Sequence, residues 1–384
     1  ILLALLWAPS ILNMAAQVVA HLPVISRLEV IVVPFTLVVL FFLSFNKIRK
    51  RVKSSYLLFY IVMAACFGFS YLAFPENTPF LDEKALSFFV FSLPFFYVGL
   101  ASCDEKCLDW FYYASYLSVV MAVLYNMFYI NTDDYQGEAE IIESNMSAAY
   151  NMLPHLLMVI WYAIKKTNFY SLLFNIPVIV LGTFLLITFG SRGPLVCLLS
   201  FIFLYFFFFM EFKRPIMARL IIVALGLIVM SYFPVITNLL LSKATDAGMG
   251  TRVLDFIIQG DFVSDSSGRD YIINNLIGHI SVLPHGMGGS FPFVHTYSHN
   301  LAIDLWLDYG TLFGSVLLLV LLIIIVRSYY HLKGTDLRIF LCILFVCGFI
   351  SMFLSKSYLS EPLFYFLIGF GLSSIRKRTI HVRS

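Results

Sequence analysis

Residues 299–326 read HNLAIDLWLDYGTLFGSVLLLVLLIIIV, and the second half of this stretch contains no charged side chain. About 20 consecutive apolar residues are enough for a helix to cross the hydrocarbon core of a membrane. The stretch therefore predicts a membrane-spanning helix over residues 300–326. Asp304 and Asp308 lie four residues apart in its first turns and share one helix face. Because a carboxylate costs free energy inside a membrane, we expect this face to look into a helix bundle or a wet cavity.

The apolar character of this stretch extends over the whole chain. Of its 384 residues, 60% are apolar and only 12% are charged, whereas soluble domains have about 25% charged residues. This composition excludes an ordinary soluble enzyme, a disordered chain and a secreted disulfide scaffold. The net charge of +3 is too small to indicate a nucleic-acid partner. The six cysteines lie in predicted spans or on the predicted cytoplasmic side, so we expect no disulfides.

Apolar segments of this kind recur along the chain and predict an all-α, polytopic membrane helix bundle. They do not alternate with period two, which disfavours a transmembrane barrel. The predicted spans are 1–20, 28–45, 55–74, 85–102, 110–130, 148–164, 171–190, 194–210, 220–241, 300–326, 339–355 and 363–374. In chain order, we predict spans one to nine over 1–241, a helical extracytoplasmic loop subdomain carrying active-site residues over 242–299, and spans ten to twelve with a cytoplasmic tail over 300–384.

The distribution of basic residues predicts which loops face the cytoplasm. Of the 25 Lys and Arg residues, eighteen fall on one set of alternate loops. An excess of Lys and Arg is typical of cytoplasmic loops, so we predict that both termini are cytoplasmic. The seven basic residues on the opposite side are Arg27, Lys84, Arg192, Lys243, Arg252, Arg269 and Lys356.

The long outer loop contains a predicted amphipathic helix over residues 270–283. At 100° per residue its apolar side chains fall within one arc. Such a helix would lie either on the outer membrane surface or on the helix bundle, and both placements stay open. The apolar side chains of the arc are Ile272, Ile273, Leu276, Ile277, Ile280 and Leu283.

Residues 284–289 follow with the sequence PHGMGG. Glycines permit backbone conformations that place amide groups around an anion, so Gly286 and Gly288 are candidate binding residues. A tight turn after a helix explains the same glycines, and both interpretations stay open.

The sequence HTYSHN at residues 295–300 leads into the predicted tenth span. Histidine is the side chain best suited to move a proton near neutral pH, so His299 is a candidate general base. His295 and His299 would have metal-ligand spacing on a helix, but no third ligand is evident, so we predict no metal. Arg192, Arg252 and Arg269 can reach the same side of the membrane as His299, and guanidinium groups match phosphate oxygens. Arg192 could instead pair with lipid headgroups or Asp308.

These residues, in this order and on this side of the membrane, resemble the superfamily of O-antigen ligases and O-antigen polymerases. The similarity rests on topology over most of the chain and on four short motifs. The motifs are SRGP at 191–194, SGRD at 267–270, PHGMGG at 284–289 and HNLAIDLWLDYG at 299–310. The family usually has Glu where this chain has Asp308, and Gly314 follows Gly310 by four residues instead of three.

The resemblance implies a C-type glycosyltransferase on the periplasmic side of the bacterial inner membrane, with no cofactor, metal or nucleotide sugar. Its donor would be a glycan on undecaprenyl pyrophosphate, which also serves as acceptor in a polymerase. A polysaccharide chain-length regulator is a further candidate partner, beside the membrane lipids. The implied catalytic residues are His299, Arg192 and Arg269. The implied substrate-binding residues are Arg252, Asn300, Tyr297, His295, Gly286, Gly288 and Asp308.

Three functions stay open. A polymerase extends a lipid-linked glycan, a ligase transfers it to lipid A–core, and a flippase would move it across the membrane unchanged. The predicted acidic loop 131–147 and the few outer lysines favour the polymerase, because a lipid A–core acceptor should need a basic groove. His155 is the one deep polar candidate for transport, so transport is the less favoured function.

Overall fold

The structure is a computed structural model that describes residues 57–129, 138–166, 168–188, 192–209 and 269–381. Within these ranges the regular structure is entirely helical, which confirms the predicted fold class at that level. The helices are α1 (Leu57–Ala73), α2 (Thr78–Leu86), α3 (Leu93–Ser102), α4 (Leu108–Tyr129), α5 (Glu138–Lys165), α6 (Phe169–Thr188), α7 (Arg192–Leu204), α8 (Arg269–Ile277), α9 (Phe291–Val294), α10 (Leu301–His331), α11 (Leu337–Gly348) and α12 (Pro362–His381).

Several helices are compatible with a membrane protein. Within the described ranges, five helical stretches are long and apolar enough to cross a membrane. They are Pro75–Ser102, Glu105–Leu124, Phe169–Ile187, Arg192–Phe209 and Leu301–His331. Three shorter apolar helices are Leu57–Ala73, Leu337–Phe353 and Pro362–Arg376. The predicted spans 1–20, 28–45 and 220–241 lie outside the described residues, so the number of twelve spans and their orientation stay predictions.

The start of α5 differs from the sequence prediction. Residues 131–147 were expected to form a loop, whereas α5 already begins at Glu138. The first turns of α5 read EAEIIES, and Ala and Glu are good helix formers. Acidic side chains near the N-terminus of a helix also interact favourably with its dipole. The acidic stretch is therefore helical from residue 138 onward.

The chain divides into two compact units. One of them contains α4 to α7. In this unit the rings of Tyr112 on α4 and Tyr162 on α5 stack with centroids 3.5 Å apart. The Tyr112 hydroxyl donates a hydrogen bond of 2.8 Å to Asn175 on α6. At the start of α7, a side chain at Gly193 would collide with the Tyr150 hydroxyl of α5.

The other unit contains α1 to α3 and α8 to α12. Its best-packed helix pair is α3 with α12, where glycines let the two backbones approach closely. A Cβ atom added at Gly369 would lie 1.9 Å from the carbonyl oxygen of Phe96, and one added at Gly99 would lie 2.3 Å from that of Phe366. Small residues at such contacts are typical of helix packing in membranes.

Helix α10 is broken at Gly310, where φ is 78° and ψ is 159°. This backbone conformation is essentially restricted to glycine. The Trp306 indole donates a hydrogen bond of 3.0 Å to Ser315, nine residues further on, although nine residues span about 13 Å along a straight helix. The first half of α10 (301–309) therefore folds back against the second half (311–331). The second half alone is about 30 Å long, enough to cross a membrane.

Contacts from a distant loop complete this break. The freed Leu307 carbonyl accepts a hydrogen bond of 2.8 Å from the His285 amide, and the Thr311 amide donates one of 2.9 Å to the Ser281 carbonyl. The two carboxylates predicted at the start of a straight span thus lie on a short helix that turns before the long apolar one.

Candidate functional site

The predicted amphipathic helix is present as α8, but it is shorter than expected. It ends at Ile277, directly before Gly278, and not at residue 283. Leu276 is fully buried and packs against Ile303 and Leu307 in the first half of α10. Leu283 is exposed because the helical periodicity no longer applies there, and Ile277 is also exposed at the margin of the predicted arc. The helix therefore packs on α10, which was one of the two expected placements.

The PHGMGG loop is bound tightly by the protein itself. The Met287 amide donates a hydrogen bond of 2.8 Å to Ser70, and the Gly289 amide donates one of 2.9 Å to Asp308. The Asn77 side chain donates to the carbonyl oxygens of His285 and Met287, at 2.8 and 3.2 Å. The amides of this loop were predicted to bind a ligand anion. Two of them, those of Met287 and Gly289, instead donate hydrogen bonds to Ser70 and Asp308 of this chain.

The glycines of this loop explain its shape. Gly286 and Gly288 have φ values of +77° and +79°, and a side chain at either would press against Phe74 or Phe80. The structure therefore agrees with a tight turn. The substrate-binding role predicted for the two glycines stays a prediction.

The two buried carboxylates of α10 hold different parts of the site. Asp308 accepts one hydrogen bond from the Gly289 amide and another, of 2.5 Å, from the Tyr358 hydroxyl. Asp304 accepts a hydrogen bond of 3.0 Å from the Ser298 amide. The substrate-binding role implied for Asp308 stays a prediction, and its contacts here fix the glycine loop. Asp304 instead holds the residue directly before His299.

The turn that carries His299 is fixed by local hydrogen bonds. Asn300 caps α10, because its side-chain oxygen accepts from the amides of Ala302 and Ile303. The Ser298 hydroxyl donates to the Asn300 carbonyl at 2.8 Å. His295 and His299 both have left-handed backbones, with φ of 54° and 57°, so the helical metal-ligand spacing considered for them does not occur.

His299 belongs to a cluster with Arg269, Tyr297 and Ser355, and we call these four residues the His299 cluster. The His299 and Tyr297 rings lie 4.2 Å apart. Arg269 donates a hydrogen bond of 2.7 Å from Nη2 to the Ser355 hydroxyl oxygen. Tyr297 donates one of 2.8 Å to the Ser355 carbonyl oxygen. Two predicted catalytic residues and one predicted binding residue therefore meet at a serine that the sequence analysis did not select.

The surroundings of His299 keep its ring neutral. Partial burial, together with the positive charge of Arg269, lowers the pKa of His299 from 6.5 to about 4, although a hydrogen bond to the Ser355 backbone opposes this shift. Among the described residues, the buried ring atom Nδ1 has no hydrogen-bond partner. A neutral imidazole with an unpaired nitrogen can accept a proton, and the adjacent guanidinium can bind an anion.

Of the three remaining predicted residues, the structure describes His295 and Arg192. His295 is exposed at the end of α9. Arg192 is half-buried at the start of α7, in the other unit, and Arg252 lies outside the described residues. Within the described ranges, no group of three His, Cys, Asp or Glu side chains could hold a metal ion.

Sequence reasoning missed Ser355, Tyr358 and Asn77 as site residues. Ser355 and Tyr358 belong to the polar run SKSYLSE at residues 355–361, between two apolar segments. This polar run was the one sequence feature that pointed to these residues. Serine and tyrosine are common in such loops, however, so neither could be selected as a site residue before its contacts were known.

The chain matches no family model, no curated protein and no solved structure. A functional assignment therefore rests on the residues and geometry described above.

Proposed function

We propose that this protein is a glycosyltransferase that moves a glycan from undecaprenyl pyrophosphate to a sugar hydroxyl of another lipid-linked repeat unit, as an O-antigen polymerase does. The observation that carries the proposal is that His299, with its unpaired Nδ1, shares one cluster with Arg269. The reaction needs a proton acceptor for the hydroxyl and a cation for the departing pyrophosphate. The His299 cluster supplies both.

In the proposed step, the acceptor hydroxyl oxygen attacks the anomeric carbon of the donor sugar. The new glycosidic bond forms as the bond between that carbon and the pyrophosphate oxygen breaks. The hydroxyl proton passes to the imidazole of His299, and the pyrophosphate leaves with the bonding electron pair. Arg269 stabilises the charge on that leaving group, an effect worth about 3 kcal/mol for a good donor in comparable sites. Direct displacement inverts the anomeric centre.

The low pKa of His299 suits this step when the donor is bound. Without the donor, the ring is uncharged near neutral pH because its pKa is about 4. A bound pyrophosphate would bring negative charge beside the ring and offset the charge of Arg269. An adjacent opposite charge favours the protonated form of histidine. The donor would thus raise the pKa of His299 and strengthen it as a base.

Polymerase is preferred to ligase on the features of the sequence. The acidic segment 131–147 carries no basic residue, and the predicted outer side offers only Lys84, Lys243 and Lys356 as lysines. A lipid A–core acceptor carries phosphates and should need a basic groove. A neutral or basic sugar acceptor suits the acidic segment better.

The test uses purified protein with a short glycan on undecaprenyl pyrophosphate, assayed with and without lipid A–core. The polymerase proposal expects a ladder of repeats with the donor alone. His299→Gln should reduce the rate by about 10²–10⁴-fold, as is typical of losing a general base. The matched control is His331→Gln, which changes a histidine at the far end of α10 and should leave the rate unchanged.

Other results would contradict the proposal in distinct ways. Transfer only after lipid A–core is added would make the protein a ligase. Movement of the intact donor between leaflets of a vesicle, with no new glycosidic bond, would make it a transporter. An unchanged rate in His299→Gln would remove His299 from the reaction.

A further inference from the structure

Ser355 lies where the chain leaves the 3-10 turn after α11 and runs towards α12. Its side chain is almost completely buried. It contacts two residues of the loop and helix that precede α10. The Ser355 hydroxyl oxygen accepts from Arg269, and its carbonyl oxygen accepts from Tyr297. The His299 ring lies against the Tyr297 ring, with centroids 4.2 Å apart.

A nearby serine shows that burial alone does not account for these contacts. Ser357 is two residues further on and equally buried, with 3% exposure for each residue. The Ser357 hydroxyl, however, accepts a bond of 3.4 Å from Leu359 within its own turn. Ser355 instead joins residues 86 and 58 positions away along the chain. Ser355 therefore connects distant parts of the chain, whereas the Ser357 hydroxyl bonds within its own turn.

The contact with Arg269 fixes the direction of a long side chain. Arginine has several rotatable bonds and loses rotamer freedom when it is held in one geometry. Arg269 is the first residue of α8, and it forms no ion pair with another described residue. A hydrogen bond from Nη2 to a buried hydroxyl therefore orients its guanidinium, while leaving its other N–H groups able to meet an anion.

We propose that Ser355 is the positioning residue of the His299 cluster, with its hydroxyl holding the Arg269 guanidinium and its carbonyl holding Tyr297, whose ring lies against His299. This inference rests on the proposed function for its catalytic meaning. It adds a residue that touches no reacting atom and acts through Arg269. The contact itself can be tested whether or not the reaction is the proposed one.

The experiment is a double-mutant cycle on the full-length protein in detergent, with two readouts. The first is the pKa of His299, followed by NMR of labelled histidine rings and assigned with His299→Gln. The second is release of undecaprenyl pyrophosphate from the lipid-linked donor. The variants are Ser355→Ala, Arg269→Ala and the double variant. Ser355→Thr keeps the hydroxyl and is the rescue variant, and Ser357→Ala is the matched control.

Loss of the Ser355 hydroxyl should free Arg269 to move away, and the pKa of His299 should rise from about 4 towards its ordinary value. Arg269→Ala should raise it in the same direction, and the double variant should add nothing further, as expected for residues acting as one unit. Release should fall by about 10²-fold in Ser355→Ala, since misplacement of a charged group has costs of that size. Ser355→Thr should recover most of both properties, and Ser357→Ala should change neither.

Two results would overturn the inference. One is a His299 pKa that is the same in Ser355→Ala as in the unaltered protein. The other is a full additional effect of Ser355→Ala in the Arg269→Ala background. If the unaltered protein releases no undecaprenyl pyrophosphate but the pKa cycle behaves as expected, the proposed reaction is wrong and the positioning contact is supported.

Discussion

His299 combines three unusual properties at the scale of a single residue. Its backbone is left-handed, its Nδ1 atom is buried without a partner among the described residues, and its pKa is lowered to about 4. A left-handed backbone at a non-glycine residue costs about 1–3 kcal/mol and persists only where surrounding contacts enforce it. Here Asp304 holds the preceding amide, and Asn300 caps the helix that follows.

The lowered pKa of His299 predicts how stability depends on pH. Between pH 6.5 and about 4 the unfolded chain binds a proton at His299 that the folded protein does not. The free energy of unfolding should therefore decrease as the pH falls through this range. His299→Gln should show a smaller decrease. Unfolding temperatures measured in detergent from pH 7 to pH 4 test this, with His331→Gln as control. Parallel curves for His299→Gln and the unaltered protein would contradict it.

Asp308 gives a second prediction at this scale. Tyr358→Phe removes the hydroxyl that donates to the buried Asp308 carboxylate. Leaving a buried group without its partner costs about 1–3 kcal/mol. The same change should speed hydrogen exchange at the Gly289 amide, which Asp308 also binds. Tyr330→Phe is the matched control because Tyr330 is 64% exposed. Equal unfolding temperatures for the two variants would show that Asp308 does not depend on Tyr358.

At the scale of the element, the decisive feature is the break in α10. Gly310 and Gly334 both have positive φ, at 78° and 83°, but their surroundings differ. A Cβ atom at Gly310 would lie 2.2 Å from the Val282 carbonyl oxygen, whereas one at Gly334 would meet nothing within 4 Å. Both positions therefore strain a residue that has a Cβ atom, and of the two only Gly310 adds a collision with another backbone segment.

We predict that Gly310→Ala destabilises the protein more than Gly334→Ala. Gly334→Ala should cost about 1–2 kcal/mol, the price of a left-handed conformation for a residue with a Cβ atom. Gly310→Ala adds a collision with the loop that completes the helix break, which should lower the unfolding temperature further. Thermal unfolding in detergent measures both variants. Equal decreases in unfolding temperature would mean that the loop at residue 282 can move to accommodate the new Cβ atom without loss of stability.

The sequence predicted elements better than it predicted where they bend. Apolar periodicity located α8 and its buried Leu276, but it extended the helix to residue 283. The spacing of Asp304 and Asp308 placed them on one helix face, but nothing in the sequence analysis predicted the break in α10 at Gly310. That break is completed by backbone groups of Ser281 and His285, and such contacts between distant residues leave no periodic pattern.

The same reason limits what could be predicted of the site. His299 was selected because histidine can move a proton near neutral pH, and Arg269 because a guanidinium matches phosphate oxygens. Ser355 was not, because a serine becomes significant only through its partners, and Arg269 lies 86 residues away. The helical course of residues 138–147 was also missed, since their acidic side chains suggested a solvated loop.

At the scale of the whole molecule, the second half of α10 presents large apolar side chains outward. Leu312, Phe313 and Leu319 are 64%, 68% and 57% exposed. Continuous apolar exposure on this scale is unusual for a soluble protein and is expected where lipid is the solvent.

This exposure predicts the surroundings of α10 in a bilayer. A nitroxide attached at Leu319→Cys should be relaxed mainly by oxygen, which concentrates in lipid. One attached at Asn274→Cys, on the exposed polar side of α8, should be relaxed mainly by a water-soluble nickel complex. Preferential relaxation of both labels by nickel would contradict placement of α10 in lipid.

In the proposed reaction, the His299 cluster breaks the bond between a glycan and its lipid pyrophosphate. Release of undecaprenyl pyrophosphate tests it most directly, because polymerase and ligase share that product and a transporter does not form it. We predict one molecule released for each glycosidic bond formed, with a rate about 10²–10⁴-fold lower in His299→Gln. Release at the same rate in His299→Gln, or no release by the unaltered protein with a matched donor and acceptor, would contradict the account.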